Sequence, residues 1–268
     1  MRLAQKTAIV MGAGQGPGES EAIGNGRATA IRFAQEGSKV LCVDRDLASA
    51  EETAQMIRAA GGEVHAFPCD VTNEQQIVAA IGDAKARWGR IDILHNNVGV
   101  SLAGGDAVPE DITVEAFDRI VAINLRGTVL AVKHVLPIMR AQQSGSITSI
   151  SSAAAVENYP YVGYKTTKAA MLAFTQQVAI QNAKYGIRCN VILPGLMDTP
   201  MAVDTRARTQ GRPREVVAAE RDAKVPLRGK MGSAWDVANA ALFLNSEEAG
   251  FITGVSLLVD GGRVLNSG

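Results

Sequence analysis

The stretch TAIVMGAGQGPGESEAIGNGRATAIRFAQ, residues 7–35, decides the fold because six glycines join a β-rich run to a helical run. The run TAIVM predicts a buried strand, and RATAIRFAQEG predicts a helix that stops at Gly37. Glycines between a strand and a helix are typical of a turn that brings backbone amides and a helix N-terminus to a phosphate. Two different sets of these glycines are able to form that turn.

The choice between the two sets depends on the helix that each would start. With Gly12, Gly16 and Gly18, the helix would carry two more glycines, at about 1 kcal/mol each relative to alanine, and two glutamates beside the anion. With Gly12, Gly24 and Gly26, the helix is rich in alanine and begins after the last glycine. We therefore predict a cofactor-binding turn made of Gly12, Gly24, Asn25 and Gly26.

Asp44, at the end of the next β-rich run, supports the same choice. It lies 18 residues after Gly26 but 26 after Gly18, and about 20 residues separate the turn from a carboxylate that binds a dinucleotide ribose. A carboxylate there accepts hydrogen bonds from ribose hydroxyls and repels a 2′-phosphate, so NAD is favoured over NADP. The neighbouring Arg45 would suit that phosphate, which keeps NADP as the less favoured cofactor. Residues 13–23 are then an insertion in the turn, predicted as a flap near the pyrophosphate.

Composition and charge favour a small-molecule ligand. The 268 residues are 47% hydrophobic, and 27 Lys and Arg balance 27 Asp and Glu, so nothing favours nucleic acid or an anionic membrane. There is no signal-like apolar N-terminus and no run of 18 apolar residues, so we predict a cytoplasmic location. The three cysteines are far apart and no His/Cys cluster has metal spacing, so no metal site is predicted.

Seven β-rich runs alternate with amphipathic runs along the chain. The predicted strands are 6–11, 39–44, 63–68, 91–96, 145–150, 187–193 and 255–259. The predicted helices lie near 27–36, 46–60, 74–87, 113–141, 163–184 and 235–244. This alternation predicts a single-domain α/β fold over 1–268, a doubly wound parallel sheet with helices on both faces. Residues 197–230 lack clear periodicity and are predicted to form a substrate lid.

Two overlapping Tyr-x-x-x-Lys pairs supply candidate acid/base chemistry: Tyr161 with Lys165, and Tyr164 with Lys168. The four-residue spacing puts both side chains on one helix face, where we expect the ammonium to lower the phenol pKa from about 10. Tyr161 directly follows Pro160, whereas Tyr164 opens a clean small-residue helix. We therefore predict Tyr164 as the acid/base.

A serine pair lies at the end of the fifth predicted strand. Ser151 and Ser152 follow GSITSI, at the carboxyl edge where ligands of open α/β sheets bind. We expect a serine there to hold a substrate oxygen.

Eight motifs, in order, resemble the short-chain dehydrogenase/reductase family over essentially the whole chain. They are GAG…GNGRATA (12–30), CDV (69–71), NNVG (96–99), VAINLRG (121–127), SISS (149–152), YKTTKAA (164–170), NVILPGLMDTPM (190–201) and ITGVSLLVDGG (252–262). The resemblance implies a single Rossmann domain with a seven-stranded parallel sheet, usually a homotetramer. It also implies hydride transfer between NAD(H) or NADP(H) and a small-molecule alcohol or ketone.

The resemblance also implies roles for individual residues. Tyr164 is the acid/base, Lys168 tunes it and binds the nicotinamide ribose, and Ser152 holds the substrate oxygen. Asn124 supports a water relay. The implied cofactor contacts are Asp70 and Val71 at the adenine, Asn96 in the cofactor cleft, and Pro194, Gly195 and Thr199 around the nicotinamide.

The chain departs from the family pattern at three places. The glycine turn carries an insertion, Val98 replaces the usual alanine, and the gap from Ser152 to Tyr164 is one residue short. Ser151 would restore that gap, but the strand end favours Ser152.

Two alternative functions remain open: an NADP-dependent 3-oxoacyl reductase and a nucleotide-sensing protein without turnover. Four arginines in TRARTQGRPRE, residues 205–215, would suit an acidic substrate, although such charges usually face solvent.

Overall fold

The computed structural model describes residues 1–16 and 21–266. Within them the strands are β1 Thr7–Met11, β2 Lys39–Asp44, β3 Val64–Pro68, β4 Ile93–Asn96, β5 Gly145–Ile150, β6 Ile187–Pro194, β7 Met197–Asp198, β8 Gly232–Ser233 and β9 Ser256–Val259. The α-helices there are α1 Asn25–Gln35, α2 Leu47–Ala59, α3 Glu74–Trp88, α4 Val114–Val121, α5 Gly127–Gln142, α6 Val162–Asn182, α7 Thr205–Gln210, α8 Arg214–Asp222 and α9 Ala234–Asn245.

The main sheet is parallel throughout. Within the described residues it has seven strands in the order β3-β2-β1-β4-β5-β6-β9, and each of these seven strands overlaps a predicted β-rich run. The predicted fold class is therefore confirmed. Strand order reverses at β1, which pairs with β2 on one side and β4 on the other. This reversal opens a crevice at the carboxyl ends of the strands.

Strand residues alternate between two hydrophobic layers because successive side chains point to opposite faces. In β1, Ile9 and Met11 pack with buried residues of α3 and α5, while Ala8 and Val10 pack with those of α1 and α9. Both faces of the sheet are thus covered, which explains why the strands read as nearly continuous apolar runs.

The long predicted helix over 113–141 is interrupted. A π-helical segment, Ala122–Arg126, separates α4 from α5. The stretch Val114–Gln142 is long and apolar enough to cross a membrane by length and composition. Ala131, Val135 and Met139 on α5 nevertheless belong to the hydrophobic core of the domain, as in a core helix.

The segment 197–230, which the sequence analysis leaves without regular structure, is largely helical. It contains β7, the π-helical segment Pro200–Asp204, α7 and α8. Ala207 is the buried residue of α7 and Val217 that of α8. Such short helices, each with one buried position, carry too few apolar residues to show a period of 3.6.

Candidate active site

The glycine turn, defined here as residues 12–26, brings α1 against the end of β1. Gly12 has a φ of 82°, and α1 begins at Asn25 after the N-cap Gly24. A Cβ on Gly26 would lie 1.8 Å from the Gly12 carbonyl oxygen, so only glycine fits there. The helix begins at Asn25, two residues before the predicted start, and so follows Gly24 rather than Gly16 or Gly18. Residues 17–20 of the insertion lie outside the described residues.

The N-terminus of α1 offers its amides to a ligand. Within the described chain, no side chain caps it and its first turn has no acidic residue. By contrast, the Asp46 side chain caps α2 and the Asn73 side chain caps α3. The Asn25 Oδ1 atom is buried and has no hydrogen-bond partner among the described residues. Free amides and a positive helix dipole fit an anion such as a pyrophosphate.

Asp44, at the end of β2, helps to fix the start of the insertion. Its Oδ2 accepts from the Gly14 amide at 3.0 Å, and its Oδ1 accepts from the Asp46 amide at 3.1 Å. The Gln15 amide donates to Ser49 Oγ at 2.7 Å, while the Gln15 side chain accepts from the Gly24 amide at 2.9 Å. Asp44 is half-buried at the carboxyl end of β2.

The NNVG motif supplies a contact that the sequence analysis missed. Asn97 Nδ2 donates to the Gly12 carbonyl at 3.0 Å and so ties the end of β4 to the glycine turn. The neighbouring Asn96 is 4% exposed and donates to Ser149 Oγ at 3.3 Å. Successive side chains of an extended chain point to opposite sides, and this alternation could have predicted that Asn96 and Asn97 make different contacts.

The CDV motif lies after β3. Asp70 Oδ1 accepts from the amide and hydroxyl of Thr72, at 2.8 and 2.7 Å, which fixes the loop. Val71 is 7% exposed and packs against Gly127, where a Cβ would lie 2.9 Å from the valine Cβ. Their adenine contacts stay predictions.

Ser152, Tyr164 and Lys168, hereafter the Ser-Tyr-Lys cluster, meet at the carboxyl edge of the sheet. Ser152 follows β5, while Tyr164 and Lys168 lie one turn apart on α6. The Ser152 side chain lies near enough to the Tyr164 phenol to lower its pKa. The Lys168 Nζ atom lies 5.5 Å from the centre of the Tyr164 ring. The neighbouring Ser151 points away, because its hydroxyl donates to the Lys168 carbonyl at 2.7 Å.

The pKa of Tyr164 departs from the sequence expectation. Burial of the phenol raises its pKa to about 12, and Ser152 offsets only part of this. The predicted lowering by Lys168 is therefore wrong for this structure. Desolvation outweighs the ammonium, which faces the ring at 5.5 Å rather than bonding the hydroxyl.

Lys168 is a buried cation with few partners. It is 2% exposed, and its Nζ donates to the Ile150 carbonyl at 2.7 Å. Burial lowers its pKa to about 8. A Cβ on Gly99 would lie 3.0 Å from Nζ, so the loop after β4 closes over the ammonium.

Asn124 lies in the π-helical segment between α4 and α5 and is fully buried. Its Oδ1 accepts from the Val100 amide at 2.8 Å, and its Nδ2 donates to the Val100 carbonyl at 2.9 Å and to Thr167 Oγ1 at 3.2 Å. Asn124 thus connects the loop after β4 to α6. π-Helical segments within helices frequently occur at functional sites.

Two further residues, Asp106 and Tyr159, border the cluster. Asp106 accepts from the Gly163 and Tyr164 amides at 2.8 and 2.9 Å, and so caps the start of α6 from a distant loop. The Tyr159 ring lies 5.6 Å from the Tyr164 ring, and its hydroxyl is 3.2 Å from Ser101 Oγ. The contacts of Asp106 with α6 and of Tyr159 with Ser101 join residues 57 and 58 positions apart, which local patterns do not report.

Pro194, Gly195 and Thr199 follow β6 on the same edge. The Gly195 amide donates to the Val259 carbonyl at 2.9 Å, and a Cβ there would lie 2.6 Å from Asp260 Cβ. Pro194 is the last residue of β6. Thr199 Oγ1 accepts from the Ala202 amide at 3.3 Å and caps the π-helical segment. Their nicotinamide contacts stay predictions.

Comparisons with known proteins agree with this architecture. The family described as Enoyl-(Acyl carrier protein) reductase matches residues 19–263. An uncharacterised oxidoreductase of Bacillus subtilis is 35% identical over 261 residues, 97% of this chain and 92% of that protein. The 2-(R)-hydroxypropyl-CoM dehydrogenase of Xanthobacter autotrophicus is 36% identical over 259 residues, 96% of this chain and 97% of that protein.

Solved structures give the same result. A crystal structure described as a short-chain dehydrogenase/reductase from Burkholderia xenovorans has a TM-score of 0.90 and 42% identity, covering 98% of both chains. NAD⁺-bound xylitol dehydrogenase has a TM-score of 0.88 and 30% identity, covering 98% of this chain and 100% of that one. With the glycine turn and the Ser-Tyr-Lys cluster in place, the chain belongs to the short-chain dehydrogenase/reductase family.

Proposed function

We propose that this oxidoreductase interconverts a secondary alcohol and a ketone with NAD(H), with Tyr164 as the general acid/base. The observation that carries the proposal is the meeting of Ser152, Tyr164 and Lys168 at the sheet edge that also holds the uncapped start of α1. A hydroxyl pair backed by a buried cation is suited to exchange a proton with an alcohol or ketone oxygen.

The residues present fit a nicotinamide dinucleotide. The amides of Asn25 and Gly26 would hold the pyrophosphate, since the Gly24 amide already donates to the Gln15 side chain. Asp44 would hold the adenosine ribose. Asp70 and Val71 would contact the adenine, Asn96 would line the cofactor cleft, and Pro194, Gly195 and Thr199 would flank the nicotinamide. The half-buried carboxylate of Asp44 favours NAD over NADP, and the similar xylitol dehydrogenase was solved with NAD⁺ bound.

The bound nicotinamide would exchange a hydride with the substrate carbon. With a pKa of about 12, Tyr164 keeps its proton at neutral pH and is ready to donate it to a ketone oxygen. Ser152 would hold the same oxygen, and Lys168 would stabilise the phenolate left behind. Asn124 fixes the Val100 loop beside Lys168 and would support a water relay. In alcohol oxidation Tyr164 accepts the proton, so we expect oxidation to be favoured at higher pH.

A second candidate is an NADP-dependent 3-oxoacyl reductase. The description of the matching family names an acyl-carrier-protein reductase, and a 3-oxoacyl-[acyl-carrier-protein] reductase of Thermotoga maritima is 31% identical over 266 residues. Arg45, beside Asp44, is an exposed cation that suits a 2′-phosphate. We also propose a cytoplasmic homotetramer, on the family resemblance, and the segment 197–230 as the substrate lid.

A cofactor titration followed by turnover assays tests the proposal. NADH and NADPH are titrated by fluorescence, and the reduced nicotinamide absorbance is then followed with small secondary alcohols, sugars, hydroxy acids, steroids and 3-oxoacyl thioesters. We expect tighter NADH binding and turnover of a small ketone or alcohol. Tighter NADPH binding with thioester reduction would favour the second candidate, and binding without any turnover would indicate a nucleotide sensor. The molar mass in solution, measured by light scattering after size-exclusion chromatography, would test the proposed tetramer.

A further inference from the structure

The arginines of the segment 198–222 fall into two groups that the sequence does not distinguish. Arg214 pairs with Asp198 and with Asp204, the latter at 2.7 Å, and Arg212 pairs with Glu220. Arg208 is exposed. These three arginines are neutralised or solvated, as sequence reasoning favours for this segment. Arg206 and Arg221 behave differently.

Arg206, on α7, lies near enough to the Ser-Tyr-Lys cluster for its charge to act on the Tyr164 phenol. Its Nη1 donates to the Ala202 carbonyl at 2.8 Å, and the side chain is half-buried. Its positive charge lowers the pKa of both Tyr159 and Tyr164, opposing the effect of their burial. No carboxylate in the described part of the chain forms an ion pair with Arg206. Its charge therefore acts on the two tyrosines without a fixed counterion of its own.

Arg221, on α8, is the second unpaired cation. Burial lowers its pKa to about 10, and repulsion from Arg206 and Arg263 adds to this effect. Its Nε is buried and has no hydrogen-bond partner among the residues described. Tyr159 and Asp198 lie near enough to oppose the shift.

The third arginine of this group already has its counterion. Arg263 Nε lies 2.9 Å from Glu157 Oε2, and the Leu227 amide donates to the Gly261 carbonyl at 3.0 Å, which holds the C-terminal segment beside the end of α8. The pair Arg263 and Glu157 is neutral as a unit. Arg206 and Arg221 form no ion pair among the described residues. Asp198 and Asp204 share Arg214, so the group of four arginines and three carboxylates keeps one excess positive charge.

Two neighbouring guanidinium groups that are partly desolvated and unpaired are unfavourable unless an anion joins them. Their planar donors match carboxylate, sulfonate and phosphate oxygens. We propose that Arg206 and Arg221 bind an anionic group of the substrate, so that the substrate is a ketone or secondary alcohol bearing a carboxylate, sulfonate or phosphate. This inference rests on the proposed function. Tyr159 connects the two regions, because its ring lies 5.6 Å from the Tyr164 ring and its hydroxyl interacts with the charges of Arg206 and Arg221.

Matched substrate pairs test the inference by turnover. Acetoacetate and laevulinate are compared with their methyl esters, hydroxyacetone phosphate with hydroxyacetone, and acetonylsulfonate with acetone. We expect at least one acidic ketone to exceed its neutral partner about 10-fold or more in kcat/KM. Arg206→Gln and Arg221→Gln should lower this ratio about 10- to 100-fold, the range for a hydrogen bond to a charged group.

Three control variants separate charge recognition from damage to the fold. Arg206→Lys and Arg221→Lys retain the cation and should retain more of the preference than the glutamine variants. Arg208→Gln removes an exposed arginine from the same helix and should leave the ratio unchanged. A ratio near one in the unmodified enzyme, or an equal loss in all of these variants, would overturn the inference.

A binding measurement without turnover completes the test. Butyrate, methylphosphonate and propanesulfonate are added to the protein, and the midpoint of thermal unfolding is recorded. We expect at least one of these anions to raise the midpoint, and the Arg221→Gln variant to lose that rise. Stabilisation without turnover of any ketone would support the anion site while refuting the proposed function. Turnover of neutral ketones, with no rise in the unfolding midpoint for any anion, would support the proposed function and refute the anion site.

Discussion

The Ser-Tyr-Lys cluster and the glycine turn lie at the same edge of the sheet but are built in opposite ways. In the cluster the functional groups are side chains. Lys168 is among them, and burial lowers its pKa to about 8. In the turn the functional groups are backbone amides. Gly26 allows α1 to approach Gly12 more closely than any residue with a Cβ would permit. The cluster therefore keeps an electrostatically unfavourable group, whereas the turn consists of a close steric fit.

This difference predicts opposite responses to substitution. Removing a functional side chain from the cluster should reduce activity while leaving stability equal or higher, as at many active sites. Adding a side chain to the turn should reduce stability and cofactor binding together, because the fit is itself part of the core. Four substitutions test these expectations.

Tyr164→Phe should have the largest effect. Loss of the hydroxyl removes the proposed proton donor, so turnover should fall at least about 100-fold, the lower range for general acid/base catalysis. NADH binding, measured by fluorescence, should remain. Tyr161→Phe, which removes the hydroxyl of the rejected tyrosine, serves as the matched control. Turnover that survived in the Tyr164 variant would refute the assignment.

Lys168→Met should reduce activity yet stabilise the fold near neutral pH. The native pKa of about 8 lies below the ordinary 10.5, so the unfolded chain binds more protons between these values. The stability of the unsubstituted protein should therefore rise from pH 8 to 10.5, and the penalty, about 3 kcal/mol at most, is fully present below pH 8. Urea unfolding of both proteins at pH 7 and 10 should show the advantage of the variant shrinking. An advantage that stayed constant would contradict this account.

Gly26→Ala should damage the turn. The added methyl would meet the Gly12 carbonyl oxygen at 1.8 Å, so we expect a loss of about 1–3 kcal/mol in the free energy of unfolding and weaker NADH binding. In the same turn, no described atom lies within 4 Å of a Cβ at Gly16. Gly16→Ala should therefore change stability by no more than about 0.5 kcal/mol. Equal effects at the two glycines would show that close approach is unimportant.

Asp44→Asn should have the smallest effect of the four. It removes the charge that repels a 2′-phosphate while keeping a side-chain acceptor for the Gly14 amide. NADH affinity should fall about 10-fold and NADPH affinity should rise, as measured by paired titrations. Asp46→Asn is the control, because asparagine caps α2 as well as aspartate does. An unchanged preference would show that residues other than Asp44 determine the choice between NADH and NADPH. Arg45 would then be the next residue to test.

Much of the site was accessible from local sequence. The start of α1 followed from the cost of glycines inside a helix, and the choice of Ser152 from its place at a strand end. In the structure Ser152 lies near enough to Tyr164 to lower its pKa, whereas the Ser151 hydroxyl bonds the α6 backbone. The role of Ser152 stays a prediction. The helices of 197–230 were missed because each has one buried position.

Other features depended on which distant residues share a space. The pKa of Tyr164 rises because tertiary packing buries the phenol. The Tyr-x-x-x-Lys spacing does not predict this burial. Asp106 caps α6 from 57 residues away. Arg206 and Arg221 look like their solvated neighbours in sequence, and only the approach of Tyr159 and Arg263 distinguishes them.

The sequence by itself determined the order of strands and helices, the position of the glycine turn and the residue types at the sheet edge. These depend on side-chain periods of 2 and 3.6 and on glycine's backbone freedom, which act over a few residues. Tertiary structure decided what each polar group faces, and hence which groups are desolvated, paired or left without a counterion. Solvation and charge interactions depend on distance in space, and packing brings together residues that the chain separates.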